Sequence, residues 1–251
     1  MPEVSSYAAG TPCWMDVSSS DLDATVAFYT ALLGWDAERA PEPEAGGYTL
    51  FLQAGKTVAA AGPNTGAGPP MWNTYLASDD VDASAAKAAA AGGAVVMDPF
   101  DVMDAGRMTF VLDPTGGSFG IWQAGRHIGA QLVNEPGALV WNELHTPDIA
   151  AANAFYSAVF GWTQERFGDD PAMVYDVQKV GDRMVGGIYQ TDGESGWQPY
   201  FAVADADAIA ARAVELGGEI VREPVDTPYG RNATLRDPHG VLFHALRMPS
   251  E

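Results

Sequence analysis

Cysteine occurs once in the 251 residues, at Cys13. A single thiol rules out an internal disulfide framework and a thiolate zinc site, and it suits a reducing compartment. Basic residues are also scarce: 13 Lys plus Arg stand against 33 Asp plus Glu, a formal charge of −20. Such a chain repels phosphate backbones and anionic lipid, so neither nucleic acid nor a membrane surface is an expected partner. Long apolar runs are missing too. None reaches 18 residues, and no transmembrane helix is expected. The opening MPEVSSYAAGTPCWMD has no basic n-region and no apolar h-region, which makes a cytoplasmic location the expectation. What is present is a core: 47% of residues are apolar, too many for a disordered acidic chain.

The sequence contains one pattern twice. Residues 13–39 (CWMDVSSSDLDATVAFYTALLGWDAER) match 140–166 (VWNELHTPDIAAANAFYSAVFGWTQER), with FY-x-A-x-x-GW shared at the same places. Residues 72–99 match 197–224, and GRMTFVLDPTGGSFGIW (106–122) matches GRNATLRDPHGVLFHAL (230–246). Six of the seven tryptophans pair between halves: Trp14 with Trp141, Trp35 with Trp162 and Trp72 with Trp197; Trp122 faces Leu246. The expected organisation is one domain over 1–123, a linker over 124–139 and a second domain over 140–251.

Within each half the pattern reads strand, helix, short strands, and then the same again. Strands are expected at 13–18 and 140–145. The helices that follow, Asp21 to Leu33 and Asp148 to Phe160, open on acidic caps and close on Gly34 and Gly161. YTLFLQ (48–53) and MVYDVQ (173–178) read as strands, each followed by a short apolar strand around Val58 or Val185. Further strands are expected at 73–77 and 198–203, helices at 81–91 and 206–216, and strands at 94–97, 107–112 and 118–122. The 62–71 stretch (GPNTGAGPPM) reads as a connector. Asp79–Asp80 and Asp169–Asp170 lack the alternating loop of a calcium site.

This order of elements, with FY-x-x-x-x-GW after the first helix, DDVDA before the second and DP-x-G before the last strand, resembles the vicinal oxygen chelate superfamily of glyoxalases, bleomycin-resistance proteins and extradiol dioxygenases. The wording TPCWMD, GPPMWNTYLA, RHIGAQLVNEPG and WNEL is similar to a tandem actinobacterial glyoxalase-like, "hydroxylase" subfamily. The resemblance implies an α+β fold of tandem glyoxalase-like domains. Each domain would be two βαβββ modules forming a cup-shaped mixed sheet with its helices outside. It does not settle the reaction, because function lives in the site rather than the fold.

In catalytic relatives the cup holds a divalent cation on inward strand positions. By resemblance those positions fall on Trp14, Asn73 and Gly120 in the first half, and on Trp141, Gln198 and His244 in the second. Only Asp16 and Asn73 offer ligand oxygens in the first cup, so no metal is expected there. In the second, Glu143, His145, Gln198 and His244 form an alternative metal set; the plainer reading has Glu143 and His244 hydrogen-bonding each other or flanking the pocket. The leading expectation is therefore no cofactor, with a divalent metal as the alternative.

Without a metal, each cup still has pocket character. Trp14, Tyr48, Asn73, Tyr75, Thr109 and Trp122 are expected to line the first, and Trp141, Tyr175, Gln198 and Tyr200 the second. Asp16 and Glu143 are candidate acid/base groups. Arg107 and Arg231 are candidate clamps for an anion, against the plainer reading of an ion pair with a nearby carboxylate. Trp35 and Trp162 read equally as packing residues between the halves. The functional expectation is a protein that binds or converts a small organic metabolite, aromatic or polyketide-like, by metal-independent acid/base chemistry, as a monomer or homodimer. A lyase, isomerase, hydrolase or hydroxylase-like activity would fit. A metal-dependent lyase, isomerase or oxygenase with its site in the second half is one alternative, and a non-catalytic binding or scaffold protein the other.

Overall fold

The structure, a computed structural model, describes residues 3–66, 68–168 and 173–249; Asp169 and Asp170 lie outside them. The first half runs β1 (Pro12–Ser19), α1 (Leu22–Leu33), β2 (Asp36–Arg39), β3 (Thr49–Gln53), β4 (Lys56–Pro63), β5 (Trp72–Ala77), α2 (Val81–Ala90), β6 (Ala94–Val95), β7 (Phe100–Val102), β8 (Gly106–Leu112) and β9 (Ser118–Ala124). The second half repeats it: β10 (Leu139–Thr146), α3 (Ile149–Phe160), β11 (Thr163–Arg166), β12 (Tyr175–Val180), β13 (Arg183–Gln190), β14 (Gly196–Ala202), α4 (Ala206–Glu215), β15 (Glu219–Thr227), β16 (Gly230–Arg236) and β17 (Leu242–Arg247).

The capping residues explain where the helices begin. Asp21, Asp80, Asp148 and Asp205 each accept a hydrogen bond from a backbone N–H in the first turn of their helix. Gly34 and Gly161 end α1 and α3 at φ of 72° and 71°, the left-handed conformation that a side chain would strain. The strands at 36–39 and 163–166 had no signal in the sequence. Every residue in them is exposed, so no apolar alternation marks them, and they persist as sheet edges paired to β3 and β12.

Each half builds its own mixed sheet. The orders are β2-β3-β4-β1-β5-β9-β8-β6, with β7 added on β8, and β11-β12-β13-β10-β14-β17-β16-β15. Within a module the first strand lies parallel to the last, as β1 does to β4 and β5 to β9. The two modules of a sheet meet antiparallel, β1 on β5 and β10 on β14. Two βαβββ modules per half are therefore present, as the resemblance implied.

Burial does not follow the halves, however. One core joins Met15, Phe28, Tyr29, Trp35, Phe51 and Trp72 to Phe201, Ala210, Leu235 and Phe243. The other joins Leu76, Val111, Phe119 and Ile121 to Leu144, Phe155, Tyr156, Trp162 and Trp197. The helix-bearing faces of the two sheets are thus turned toward each other, and each core is completed by both halves. At the centre β5 meets β14 directly, and Thr74 donates to Asn142 across the junction at 3.0 Å.

The repeated motifs supply the pins between halves. Tyr156 donates to Asp113 at 2.9 Å and accepts from the indole of Trp197 at 3.1 Å. Its counterpart Tyr29 donates to Asp237 and accepts from Trp72. The same two aspartates also organise their own DP-x-G turns, Asp113 by accepting from the N–H groups of Thr115 and Gly117, and Asp237 from those of His239 and Val241. Trp35 and Trp162 donate to the carbonyls of Gly137 and Gly10. The tyrosine of FY is therefore wired to the opposite half, and the tryptophan of GW to Gly10 of the other half or to Gly137 of the connecting segment, the packing reading of the two offered for these tryptophans.

Tyr156→Phe should destabilise the protein by about 1–3 kcal/mol, because it leaves the Trp197 N–H and an Asp113 oxygen buried without their partner. Urea denaturation followed by fluorescence should show one transition for both halves, shifted to lower denaturant. Two separate transitions would refute the shared-core account.

Candidate functional site

With the helix faces committed to the core, strand alternation sends the other set of side chains to the concave faces. In the first sheet these include Trp14, Asp16, Asn73 and Tyr75 on the central strands, joined by Tyr48 and Trp122. Asp16 is the hub: it accepts from Asn73 at 2.8 Å, Tyr75 at 2.8 Å and Tyr48 at 3.0 Å, and Tyr48 accepts from the Trp14 indole at 2.9 Å. Burial pushes the Asp16 carboxyl above its ordinary range despite these three donors.

The segment expected as a linker fills this cup. His127 sets its ring edge-on against Trp14, with centroids 4.4 Å apart, and Trp122 donates to the His127 carbonyl at 2.9 Å. Burial drives the His127 imidazole down to about 4, so it is neutral. Gly129, at φ +105°, lets the segment pass so close to β1 that a Cβ would stand 2.2 Å from the Cys13 carbonyl oxygen. Tyr7 adds a hydrogen bond to Ala130. At the ligand position Gly120, a Cβ would meet the Tyr75 ring at 2.2 Å, so that space belongs to the tyrosine. Two hollows of about 260 Å³ lie beside this half, one bordered by Ser6, Tyr7, Asp79, Trp122 and Ile128, the other by Asp101, Asp104 and Arg107; neither is lined by the polar residues of the second cup.

The second cup is built differently on the same frame. Register places Glu143 opposite Gln198, Tyr200 beside His244, and His244 opposite Thr234, all on one face. Glu143 accepts from Tyr200 at 2.5 Å and lies 3.3 Å from His145 Nε2. Trp141 donates to the Tyr175 hydroxyl at 2.8 Å. His244, 4% exposed, pairs through Nε2 with Gln198 Oε1 at 2.7 Å and through Nδ1 with Thr234 at 3.2 Å. Its ring stacks on Tyr200 with centroids 4.0 Å apart. Burial drives His244 down to about 3, and it is neutral at physiological pH.

Glu143 ends with the opposite bias from Asp16. Burial alone would raise it, but His145, Tyr200 and Tyr175 outweigh that and hold the carboxyl below its ordinary range. Its side chain is 13% exposed, an ionised carboxylate almost out of water. Burial and the Glu143 charge raise the Tyr200 and Tyr175 hydroxyls, which keep their protons.

The structure does not bring Arg107 or Arg231 to either cluster. Both sit on the helix side of their strands. Arg107 forks onto Asp82 of α2 at 2.8 and 3.0 Å and reaches Asp101; Arg231 forks onto Asp207 of α4 and reaches Asp226. Thr109 is on the same helix-facing side, bonded to the Met97 carbonyl. The alternation that sets Met108 and Thr234 in the cups turns these three away. Thr234 and Tyr189 belong to the second cup and were not foreseen. Thr234 is a small polar residue inside an apolar strand, and the His145–Tyr189 contact (5.4 Å) depends on the parallel register of β10 with β13.

Among the described residues no three His, Cys, Asp or Glu side chains come together as a metal cluster. Of the positions that the resemblance assigns to ligands, Trp141 presents only an N–H, already given to Tyr175. The family-type ligand set is thus incomplete. A divalent ion here would depend on Glu143 together with Gln198 and His244, the first of which is engaged by Tyr200 and His145.

The two buried carboxyls should act oppositely on stability. Asp16, raised in the folded state, costs stability at neutral pH and regains it as pH falls through its folded pKa. Glu143, lowered, contributes stability above its unfolded pKa that is lost as pH falls through its folded one. In urea titrations from pH 7 to pH 4, Asp16→Asn should hold or gain stability at pH 7, with the difference from wild type shrinking on acidification. Glu143→Gln should lose stability at pH 7. Parallel pH profiles for the two variants would contradict this.

Comparison with known proteins agrees with the architecture. Residues 14–120 match the Glyoxalase/Bleomycin resistance protein/Dioxygenase superfamily and residues 139–246 the Glyoxalase-like domain. CFP32 of Mycobacterium tuberculosis is 46% identical over 256 residues, covering 98% of each chain. The anthracycline biosynthesis protein DnrV of Streptomyces peucetius is 40% identical over 266 residues, covering 96% of this chain and 94% of that one. Among solved structures, the Mn(II)-bound glyoxalase from Novosphingobium aromaticivorans superposes with a TM-score of 0.68 at 18% identity, over 95% of this chain and 82% of that chain.

Proposed function

The chain belongs to the glyoxalase/bleomycin resistance protein/dioxygenase superfamily, and from that premise we propose that its second cup binds and converts a small aromatic, polyketide-like metabolite by acid/base chemistry at Glu143. The observation that carries this reading is the ionised, nearly buried Glu143 at the centre of an aromatic concave face. The kinship with DnrV, named for anthracycline biosynthesis, supports an aromatic polyketide as the substrate class.

In this reading Glu143 takes a proton from an acidic C–H or O–H of the bound molecule. Its low pKa makes it a mild base, so the substrate proton must itself be acidic, as beside a carbonyl or on a phenol. Tyr200 and Tyr175 give their single protons to Glu143 in the free protein; as Glu143 takes up the substrate proton they are released to turn and donate to the oxygen on which charge develops. His244 is a positioning residue: neutral, fixed by Gln198 and Thr234, it stacks on Tyr200 and sets the direction of that hydroxyl. The first cup, filled by His127, serves as structure.

A second reading is a divalent-metal-dependent enzyme of the same cup. It is supported by the convergence of Glu143, Gln198 and His244 on one face and by the Mn(II)-bound glyoxalase that shares the fold. Metal analysis of protein purified without chelator separates the two. Stoichiometric metal that is lost in His244→Ala favours the second reading; its absence, with activity retained after chelation, favours the first. For the first reading, Glu143→Gln should lower turnover of an aromatic polyketide substrate by about 10²-fold or more while leaving its affinity within a few-fold. Full turnover in that variant would remove Glu143 from the chemistry.

A further inference from the structure

The mouth of the second cup has features that the first lacks. In the flat strand order β11 and β15 are opposite edges of the sheet. Yet Phe167, just after β11, and Tyr229, in the turn between β15 and β16, have ring centroids 5.3 Å apart. The sheet is curled until its two edges touch through these rings. Phe167 continues onto Tyr175 edge-on at 6.3 Å, and Tyr175 onto Tyr189 at 6.2 Å, so an aromatic row runs from the rim to the polar cluster. The matching positions of the first half are Ala40 and Ala105, which cannot make such a bridge.

A cation stands on the same face. Arg222 pairs with Thr234 across β15 and β16, and Thr234 holds His244. Directly opposed residues share a face, so Arg222 belongs to the cup side, unlike Arg231. It is exposed and forms no ion pair among the described residues, whereas Arg231 on the neighbouring strand is held by Asp207 and Asp226. The ladder of β15 shifts register on both sides of Arg222, between Ile220 and Arg222 and again before Val225. Its charge is felt by Tyr200 and His244, and that of Glu143 by Tyr229, which ties both parts of the mouth to the polar cluster. On the same face as Thr234, Asn232 is 7% exposed, and its Oδ1 has no hydrogen-bond partner among the described residues.

We propose that Phe167, Tyr229 and Arg222 form the selecting mouth of the second cup: the ring pair receives a flat aromatic molecule, and Arg222 favours one that carries an acidic substituent. The proposal rests on the second cup being the ligand site and adds to it the charge of the ligand. Arg222 offers a planar fork that matches a carboxylate, with no competing protein carboxylate on it. The aromatic pair offers π-faces for stacking and is the feature a flat ligand must displace or slide along. Asn232 Oδ1 is a free acceptor for a hydroxyl on the same ligand.

The test uses the full-length protein and two probes of one shape, 1-hydroxy-2-naphthoate and its uncharged amide, with binding read by calorimetry and by quenching of tryptophan fluorescence. The naphthoate should bind about tenfold or more tighter than the amide. Arg222→Gln should erase that preference while leaving amide affinity unchanged, and Tyr229→Ala should weaken both probes together. Arg212→Gln, which removes an exposed arginine of α4, should change neither. Equal affinity for the two probes, or a preference that survives Arg222→Gln, overturns the role of Arg222. Equal binding to Tyr229→Ala and wild type overturns the role of the ring pair. If neither probe binds up to millimolar concentration and Glu143→Gln still abolishes turnover of a polyketide substrate, the mouth proposal falls and the Glu143 reading stands. If both fail, the second cup is not the ligand site.

Discussion

Everything in this protein depends on the fact that neither half can bury its own helix-bearing face. A two-module sheet with helices on one side leaves a broad apolar surface, and the stable solution is to close it against another layer. Here the other layer is the second copy, turned so that α1 lies beside α4 and α2 beside α3. The reciprocal bonds Tyr156–Asp113 and Tyr29–Asp237 then make the pairing specific rather than merely greasy, because a buried hydroxyl and a buried carboxylate must find each other in one register. Hydrophobic area drives the halves together, and the polar pins decide how.

That commitment frees the concave faces and permits them to diverge. The same strand positions carry Asp16 and Glu143, Tyr75 and Tyr200, Gly120 and His244. In the first half Tyr75 occupies the space over Gly120, His127 closes the mouth and Asp16 is biased toward its neutral form. In the second half the imidazole of His244 underlies Tyr200, and the carboxylate stays charged. Duplication supplied two cups, and the chain that follows β9 packs into the first of them, against Trp14 and Trp122. The segment 124–139 is accordingly part of the first cup and not a simple tether.

Much of this was legible in the sequence, for physical reasons that differ by element. The helices were readable because caps such as Asp148 and Gly161 are local signals. The duplication was readable because Phe155, Tyr156 and Trp162 answer to packing partners that recur in the other half. Trp141 and Glu143 could be placed on one face because strand period is two, whereas Gln198 and His244, on other strands, were placed there only by the resemblance to the superfamily. The arginines could not be placed the same way. Their side depended on where β8 and β16 begin their pairing, and a one-residue difference in register reverses the face. Arg222 was hidden for the same reason, on a strand whose ladder slips twice. The edge strands at 36–39 and 163–166 carry no apolar pattern at all, and the closing of the cup by Phe167 and Tyr229 depends on contacts between residues 62 positions apart.

The charge of the chain and the charge at Glu143 meet in one constraint. An ionised carboxylate withdrawn from water costs several kcal/mol unless donors converge on it, and a surrounding excess of acidic side chains does nothing to help. At 0.15 M salt the surface charges are screened within about 8 Å, so the balance at Glu143 is set locally. The donors come from separate strands: Tyr200 from β14, His145 from β10 and Tyr175 from β12. They converge only while β10 stays in register with both β13 and β14, and those strands are held on their other face by Trp197, Tyr156 and Asp113. The pins between halves and the donors around Glu143 are therefore carried on opposite faces of the same strands.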